Sequence, residues 1–335
     1  MKMKFKPLVL LSMAALVAPL LISTSAQAQV VKIDGSSTVY PITEGVAEDF
    51  QKLKKNAVKV TVGISGTGGG FKKFCRNEID IADASRPIQK KEMEDCKAAG
   101  IEYFELPVAF DALTVVVNPK NPFIKQLGID ELKTMWEPAA QGKVLRWKQV
   151  NPAFPDAPLK LFGAGADSGT FDYFTEAVTG KSKSSRGDFT ASEDDNVLVQ
   201  GVAQDVNALA FFGYAYYAEN QSRLRAVPIV AKAGQVAVAP SEKTVLDGSY
   251  QPLSRPIFIY VNAKSLAKPE VKEFVEYYMK ESTRIAKEVK YVPLPAKAYA
   301  TNLEHLAKGK KGTVFGGSNE IGITIEALLA REAKL

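Results

Sequence analysis

Beyond an apolar opening stretch, the chain alternates short β-branched runs with apolar residues at helical spacing. Residues 30–33 read as a strand, and Ile42, Val46, Phe50 and Leu53 mark one face of a helix over residues 40–53. The run Val58-Lys59-Val60-Thr61-Val62 alternates strictly and predicts a second strand. A glycine-rich loop follows. After it come a short helix over 71–76, a strand over 79–84 and a helix over 90–99 that Gly100 ends. This strand–loop–helix rhythm from residue 30 to 110 predicts a mainly parallel sheet with helices on both faces.

Residues 113–117 predict a buried strand broken by Asn118-Pro119, and the rhythm then resumes. Helices are expected over 130–136, 170–178 and 196–205, and strands over 159–162 and 209–217, the latter aromatic with Gly213 inside it. An apolar strand over 256–261 precedes a long amphipathic helix over 269–290, with Pro269 suited to its first position. Chain crossings are expected near 108–113 and 253–257. The fold class is therefore α/β in two domains: a discontinuous one of residues 29–110 plus 256–335, and one of residues 111–255. Two crossing strands would form a hinge with a cleft between the domains.

The opening residues change the picture of where the chain works. Lys2, Lys4 and Lys6 precede an apolar run to about residue 22, and Ala26-Gln27-Ala28 is a small-residue cleavage pattern. That predicts an export signal cleaved after Ala28, with the mature protein in the periplasm. The formal charge is +6, and three of the positive charges are these leader lysines, so +3 remains. So mild an excess argues against a nucleic-acid binder and suits weak steering of a small anion. The two cysteines, Cys75 and Cys96, are expected to pair in an oxidising compartment. Closing that loop contributes roughly 3 kcal/mol in the chain-entropy picture.

Four short segments carry candidate chemistry. Asp34-Gly35-Ser36-Ser37-Thr38, Ser65-Gly66-Thr67-Gly68-Gly69-Gly70 and Asp167-Ser168-Gly169-Thr170 each lie where a helix is predicted to open. Each offers hydroxyls and backbone N–H groups at the positive end of a helix dipole. Singly, each is equally well an N-cap or a flexible turn. The glycine loop is no nucleotide P-loop, because no Gly-Lys-Ser/Thr follows it. The fourth segment, Ala84-Ser85-Arg86-Pro87, ends a strand with a guanidinium, the natural bidentate partner of a tetrahedral oxyanion. Period-2 alternation puts Asp83 and Ser85 on one face. Three segments fall in one domain and one in the other, as a clamshell closing on an anion requires.

These segments resemble the periplasmic phosphate-binding proteins, the substrate-binding subunits of phosphate ABC transporters. The resemblance rests on Gly35-Ser36-Ser37-Thr38 with Pro41, the glycine loop, Asp80-Ile81-Ala82-Asp83-Ala84-Ser85-Arg86-Pro87, and the run from Asp167 to Phe174. Asp195-Asn196-Val197-Leu198-Val199-Gln200-Gly201-Val202 and Phe212-Gly213-Tyr214 are similar as well. It implies a hinge-bending fold of the second periplasmic binding class, phosphate in the interdomain cleft and a membrane ABC permease as partner. The implied ligand contacts are Ser37, Thr38, Thr67, Ser85, Arg86, Ser168, Gly169 and Thr170. Two departures stand out: Ser85 occupies a position where many members carry an aspartate, and Gly163-Ala164-Gly165-Ala166 one where many carry an arginine. Arg86 would then supply the charge, and Asp83 is the candidate acceptor for the phosphate proton.

Other readings narrow from the same residues. No paired His/Asp metal spacing occurs, so no metal or cofactor is expected. The single histidine, His305, reads as a surface residue without a catalytic partner. An exported phosphatase is thus the weaker alternative to a binding protein, and no enzymatic activity is expected. A binding protein for sulfate, molybdate or a small organophosphate would share the same loops. Each clamshell is complete by itself, so a monomer is expected.

Overall fold

The computed structural model describes Met1 and residues 29–335. The leader expected over residues 1–28, with its cleavage point after Ala28, falls outside the described residues, Met1 apart. Among those described, no helix is long and apolar enough to cross a membrane.

The first third follows the predicted rhythm: β1 (Gln29–Gly35), α1 (Tyr40–Leu53), β2 (Val58–Ile64), α2 (Gly66–Cys75), β3 (Ile81–Ala84) and α3 (Lys90–Ala98). Strands β2 and β3 flank β1 and run parallel to it. The Cys75 and Cys96 sulfurs are bonded and tie the end of α2 to α3.

The strand β4 (Tyr103–Val117) is fifteen residues long and buried throughout. Its first part pairs antiparallel with β11 (Ser254–Asn262), from Tyr103 to Ala112. From Leu113 onward it pairs instead with β8 (Ala208–Gly213). One path thus runs β2-β1-β3-β11-β4-β8-β6-β7, with two halves meeting along β4. In the second half, β6 (Lys160–Ala164) lies parallel to both β7 (Thr190–Ser192) and β8. Helices α6 (Gly169–Thr179) and α7 (Asp195–Gln204) follow β6 and β7. Between β4 and β6 lie β5 (Leu127–Gly128), α4 (Ile129–Trp136) and α5 (Trp147–Val150). Both halves are therefore parallel at their outer strands, and the antiparallel strands are those that connect them.

The expected strand over 209–217 stops at Gly213, and the chain turns into α8 (Tyr214–Glu219). The cause is a long-range cap: the Tyr214 N–H donates to the buried Asp111 carboxylate at 3.0 Å, which satisfies a first-turn donor. Short elements follow, namely β9 (Arg225–Ala226), β10 (Ile229–Val230) and α9 (Glu242–Leu246). After β11 come α10 (Pro269–Glu288), β12 (Val292–Pro293), α11 (Ala296–Lys308) and α12 (Ile325–Glu332). Helix α10 lays Phe274, Val275, Tyr278 and Met279 into the core against α1 and the first half of the sheet.

The C-terminal segment does more than complete the first half. The Val314 N–H donates to Glu105 at 3.0 Å, while the Gly322 N–H donates to the Tyr173 hydroxyl at 3.0 Å and the Asn319 amide to Glu176. It therefore reaches from β4 to α6, across both halves. Its last helix covers His305, which is only 2 % exposed and whose Nδ1 lies 3.7 Å from Glu332. The surface position expected for this histidine is corrected: Ala298, Tyr299, Asn302 and His305 share the inward face of α11.

Burial, and then the neighbouring charge of Glu105, push the Glu332 carboxyl up to about 8. A carboxyl held above its unfolded pKa loses stability for the fold as pH rises from the unfolded value towards the folded one. The melting temperature should therefore fall between about pH 5 and pH 8, and Glu332→Gln should flatten that slope. Parallel pH profiles for the two proteins would contradict this.

Candidate functional site

Each of the three hydroxyl-and-glycine turns sits between the end of a parallel strand and the first turn of a helix. Gly35 ends β1 with φ of +146°, and a Cβ there would stand 2.2 Å from the Asp83 carbonyl oxygen. Only glycine lets β1 and β3 approach so closely, and the next N–H, of Ser36, donates to that same carbonyl at 3.0 Å. Gly66 opens α2 with φ of +75°, and its Cβ would stand 2.5 Å from the Asp167 carbonyl oxygen. Two residues on, the Gly68 N–H donates to that oxygen at 2.8 Å. On the opposite turn Ser168 caps α6, its Oγ accepting the Thr170 N–H at 3.1 Å.

These turns converge. Thr38 Oγ1 and Thr170 Oγ1 lie 2.8 Å apart, so the α1 turn meets the α6 turn directly. Thr67 Oγ1 lies 3.2 Å from Ser85 Oγ and accepts the Ser85 N–H at 3.1 Å. A Cβ on Gly169 would stand 2.5 Å from Thr67 Oγ1 and 2.6 Å from Ser85 Oγ, so α6 begins against both hydroxyls. Ser37, Thr38, Thr67, Ser85, Ser168 and Thr170 are all buried. The structure thus brings the α1, α2 and α6 turns and the end of β3 into one cluster, which spans both halves of the sheet.

The cation at the centre is one that sequence reasoning missed. Arg255, on β11, donates from Nη2 to Thr170 Oγ1 at 2.8 Å and to Thr38 Oγ1 at 3.4 Å. Its Nη1 donates to the Gly169 carbonyl at 3.1 Å. The charge is balanced by Asp111 on β4, 3.1 Å away, and both side chains are at most 1 % exposed. Arg255 escaped notice because it stands at the edge of an apolar run that reads as plain buried strand. The only signal was an arginine inside an otherwise uncharged segment, Leu253-Ser254-Arg255-Pro256-Ile257-Phe258.

Arg86 is differently engaged. Its Nε donates to Asp172 of α6 at 2.6 Å, Nη1 to the Pro87 carbonyl and Glu92, and Nη2 to Glu92 at 2.7 Å. The guanidinium therefore ties the end of β3 to α3 and α6, with four hydrogen bonds already made within the protein. Asp83 and Ser85 do not share surroundings. Ser85 lies past the last residue of β3, where the chain has turned, so alternation no longer relates the two. The Asp83 carboxyl lies beneath α1, accepting from Thr43 Oγ1 at 3.0 Å, and burial pushes it well above the usual carboxylate range.

An exposed ion pair and two phenols border the cluster. Lys72 of α2 contacts Asp167 at 2.8 Å across the two turns. Tyr216 donates to the Ser37 carbonyl at 3.0 Å and Tyr291 to the Thr38 carbonyl, which fixes the backbone of the α1 turn. Among the described residues, no grouping of His, Cys, Asp and Glu could hold a metal ion. Chemically, the arrangement presents hydroxyls, helix N-terminal N–H groups and one buried guanidinium, a donor set for an anion.

Comparisons with known proteins agree with that chemistry. A family model for the PBP superfamily domain matches residues 23–282. Protein SphX of Synechococcus elongatus is 51 % identical over 326 residues, which covers 97 % of this chain and 96 % of that protein. The phosphate-binding protein PstS of Staphylococcus haemolyticus is 38 % identical over 283 residues, covering 84 % and 86 % respectively. A substrate-binding protein of Clostridium perfringens, solved with bound phosphate, aligns with a TM-score of 0.66 at 25 % identity over 80 % of this chain and 100 % of that one.

Removing one member of a buried ion pair leaves the other charge uncompensated, at a cost of about 3–5 kcal/mol. Asp111→Ala should lower the unfolding free energy in urea by about that amount, since Arg255 would be stranded among apolar strands. A loss under about 1 kcal/mol, the range of an exposed pair, would contradict the pairing described.

Proposed function

The chain belongs to the PBP superfamily, with phosphate-binding proteins among its relatives, and we propose that it captures inorganic phosphate between two lobes and delivers it to an ABC permease. One observation carries this reading: hydroxyls from turns in both halves of the sheet meet one another and a single buried guanidinium. Such a set replaces the water around a dianion with directed donors. Hydrogen bonds to a charged group contribute about 1.5–3 kcal/mol each before ordering costs.

In this reading Ser37, Thr38, Thr67, Ser85, Ser168, Gly169 and Thr170 supply the hydroxyl and backbone donors. Arg255 supplies the positive charge beside them. Arg86, already committed to Asp172, Glu92 and the Pro87 carbonyl, acts as a brace that holds α6 against the end of β3. The lobes are residues 29–110 plus 256–335 and residues 111–255, hinged where β4 exchanges partners between Ala112 and Leu113. Ligand binding draws the turns together, and the C-terminal segment spans the closed form.

The protein is a carrier, with no reaction of its own. His305, on α11, faces Glu332 of α12 and lies far along the chain from the turns. The chain is exported through its N-terminal leader, cleaved after Ala28, and works as a periplasmic monomer.

Native mass spectrometry of the protein purified from cells should find a retained ion of phosphate mass. Titration calorimetry should then give phosphate binding that Arg255→Met weakens at least tenfold while circular dichroism stays native. No binding heat with the wild-type protein would overturn the phosphate reading, and undiminished affinity in Arg255→Met would remove that residue from the site.

A further inference from the structure

We infer that the C-terminal segment of residues 312–324 is a clasp across the cleft, and that Tyr173 is the positioning residue through which it holds Arg255 and the first turn of α6; the inference rests on the phosphate reading above. The segment follows α11 and is fixed first to one lobe. There the Gly312 N–H donates to the Tyr103 carbonyl at 2.9 Å and the Val314 N–H to Glu105 at 3.0 Å, and the Gly317 carbonyl accepts the Lys90 N–H at 3.2 Å. It then crosses to the other lobe. The Asn319 amide donates to Glu176 at 2.6 Å, and the Gly322 N–H to the Tyr173 hydroxyl at 3.0 Å. Helix α12 afterwards returns to the first lobe, where Glu332 lies 3.7 Å from His305. A segment that served only to cover the first lobe would need no such detour.

Both far contacts fall on α6, the helix whose opening turn belongs to the anion cluster. Tyr173 and Glu176 stand one helical turn apart, so a single face of α6 takes both. Gly322 reaches the phenol with φ of +78°, and a Cβ there would stand 2.9 Å from Gln251 Oε1. The backbone therefore lies directly against the second lobe at a place that suits only glycine.

Tyr173 carries this contact to the buried cation. Its hydroxyl donates to the Ser254 carbonyl at 2.8 Å, with the Pro252 carbonyl 3.0 Å away. Its ring faces the next residue, and the Arg255 guanidinium carbon lies 5.6 Å from the ring centre. Arg255 is thus held from two sides, by the backbone just before it and by the face of its guanidinium. Gly169 and Thr170, one turn earlier on α6, take its Nη1 and Nη2. Tyr173 acts on the anion only through these groups.

The consequence is kinetic. Opening the lobes has to break the bonds to Glu176 and Tyr173, because the other anchors of the segment lie on the first lobe. Phosphate enters before the lobes close and does not meet the clasp. The clasp therefore slows release and leaves capture unchanged.

Release of radiolabelled inorganic phosphate into an unlabelled excess, together with titration calorimetry, tests this on wild type, Asn319→Ala, Tyr173→Phe and Tyr173→Leu. Asn319→Ala and Tyr173→Phe should each release phosphate about three- to tenfold faster, the range of one hydrogen bond, and lose affinity by the same factor, so that the association rate stays constant. Tyr173→Leu also takes the ring from Arg255, and its affinity should fall further, by about tenfold or more from wild type. Release at the wild-type rate from either Asn319→Ala or Tyr173→Phe would overturn the clasp, as would an affinity loss carried by slower association. Lower stability in urea without faster release marks a merely structural segment and overturns it too. Equal affinities in Tyr173→Leu and Tyr173→Phe would remove the positioning role, and should Tyr173→Leu fail to fold, the other two variants decide. Wild-type protein that retains no labelled phosphate would instead defeat the parent reading.

Discussion

The structure depends on one buried charge pair, Arg255 with Asp111, beside the point where β4 leaves β11 for β8. Burying two ions costs several kcal/mol each, which their mutual attraction repays only when the remaining donors and acceptors are also satisfied. Here they are. Asp111 also accepts the first-turn N–H of α8, and Arg255 also donates to Thr38, Thr170 and the Gly169 carbonyl. The pair therefore determines where β8 ends, where α8 begins and where the turns of α1 and α6 meet. A hydrophobic pair of similar size would pack as well, but it would offer nothing to an anion.

Around this pair, glycine decides how near the backbones come. Gly35, Gly66 and Gly169 each occupy a position where a Cβ would fall 2.2–2.5 Å from a neighbouring oxygen. Such approaches bring helix N-termini from both halves to one point, and the positive ends of their dipoles add to the guanidinium. The donor set is assembled from separate turns of the chain, and each turn is useless alone. Arg86 serves the same convergence indirectly, because its bonds to Asp172 and Glu92 hold α6 against the first half.

Much of this was legible in the sequence, for physical reasons. Strictly alternating β-branched runs and 3.6-spaced apolar faces specify β1, β2, α1 and α10 locally, since burial of one face suffices. Glycine with Ser or Thr at a strand-to-helix junction marks a turn that can accept an anion, so the three turns were readable too. What escaped was set by contacts distant in sequence. Arg255 stands within an apolar strand, and its partner is 144 positions away. Helix α8 begins where it does because of Asp111, some hundred residues earlier, while an aromatic run by itself favours strand. His305 is buried because α12 covers it. The surroundings of Asp83 and Ser85 differ because the strand ends between them, and alternation holds only while a strand lasts.

A crystal structure of the protein grown with phosphate decides whether turns from both halves and Arg255 share one anion. One ion should be held at once by the Thr38, Thr67, Ser85 and Ser168–Thr170 turns and by Arg255, with the Arg255–Asp111 pair intact. An ion seated on the surface of one lobe, with those turns apart and Arg255 not touching it, would contradict it.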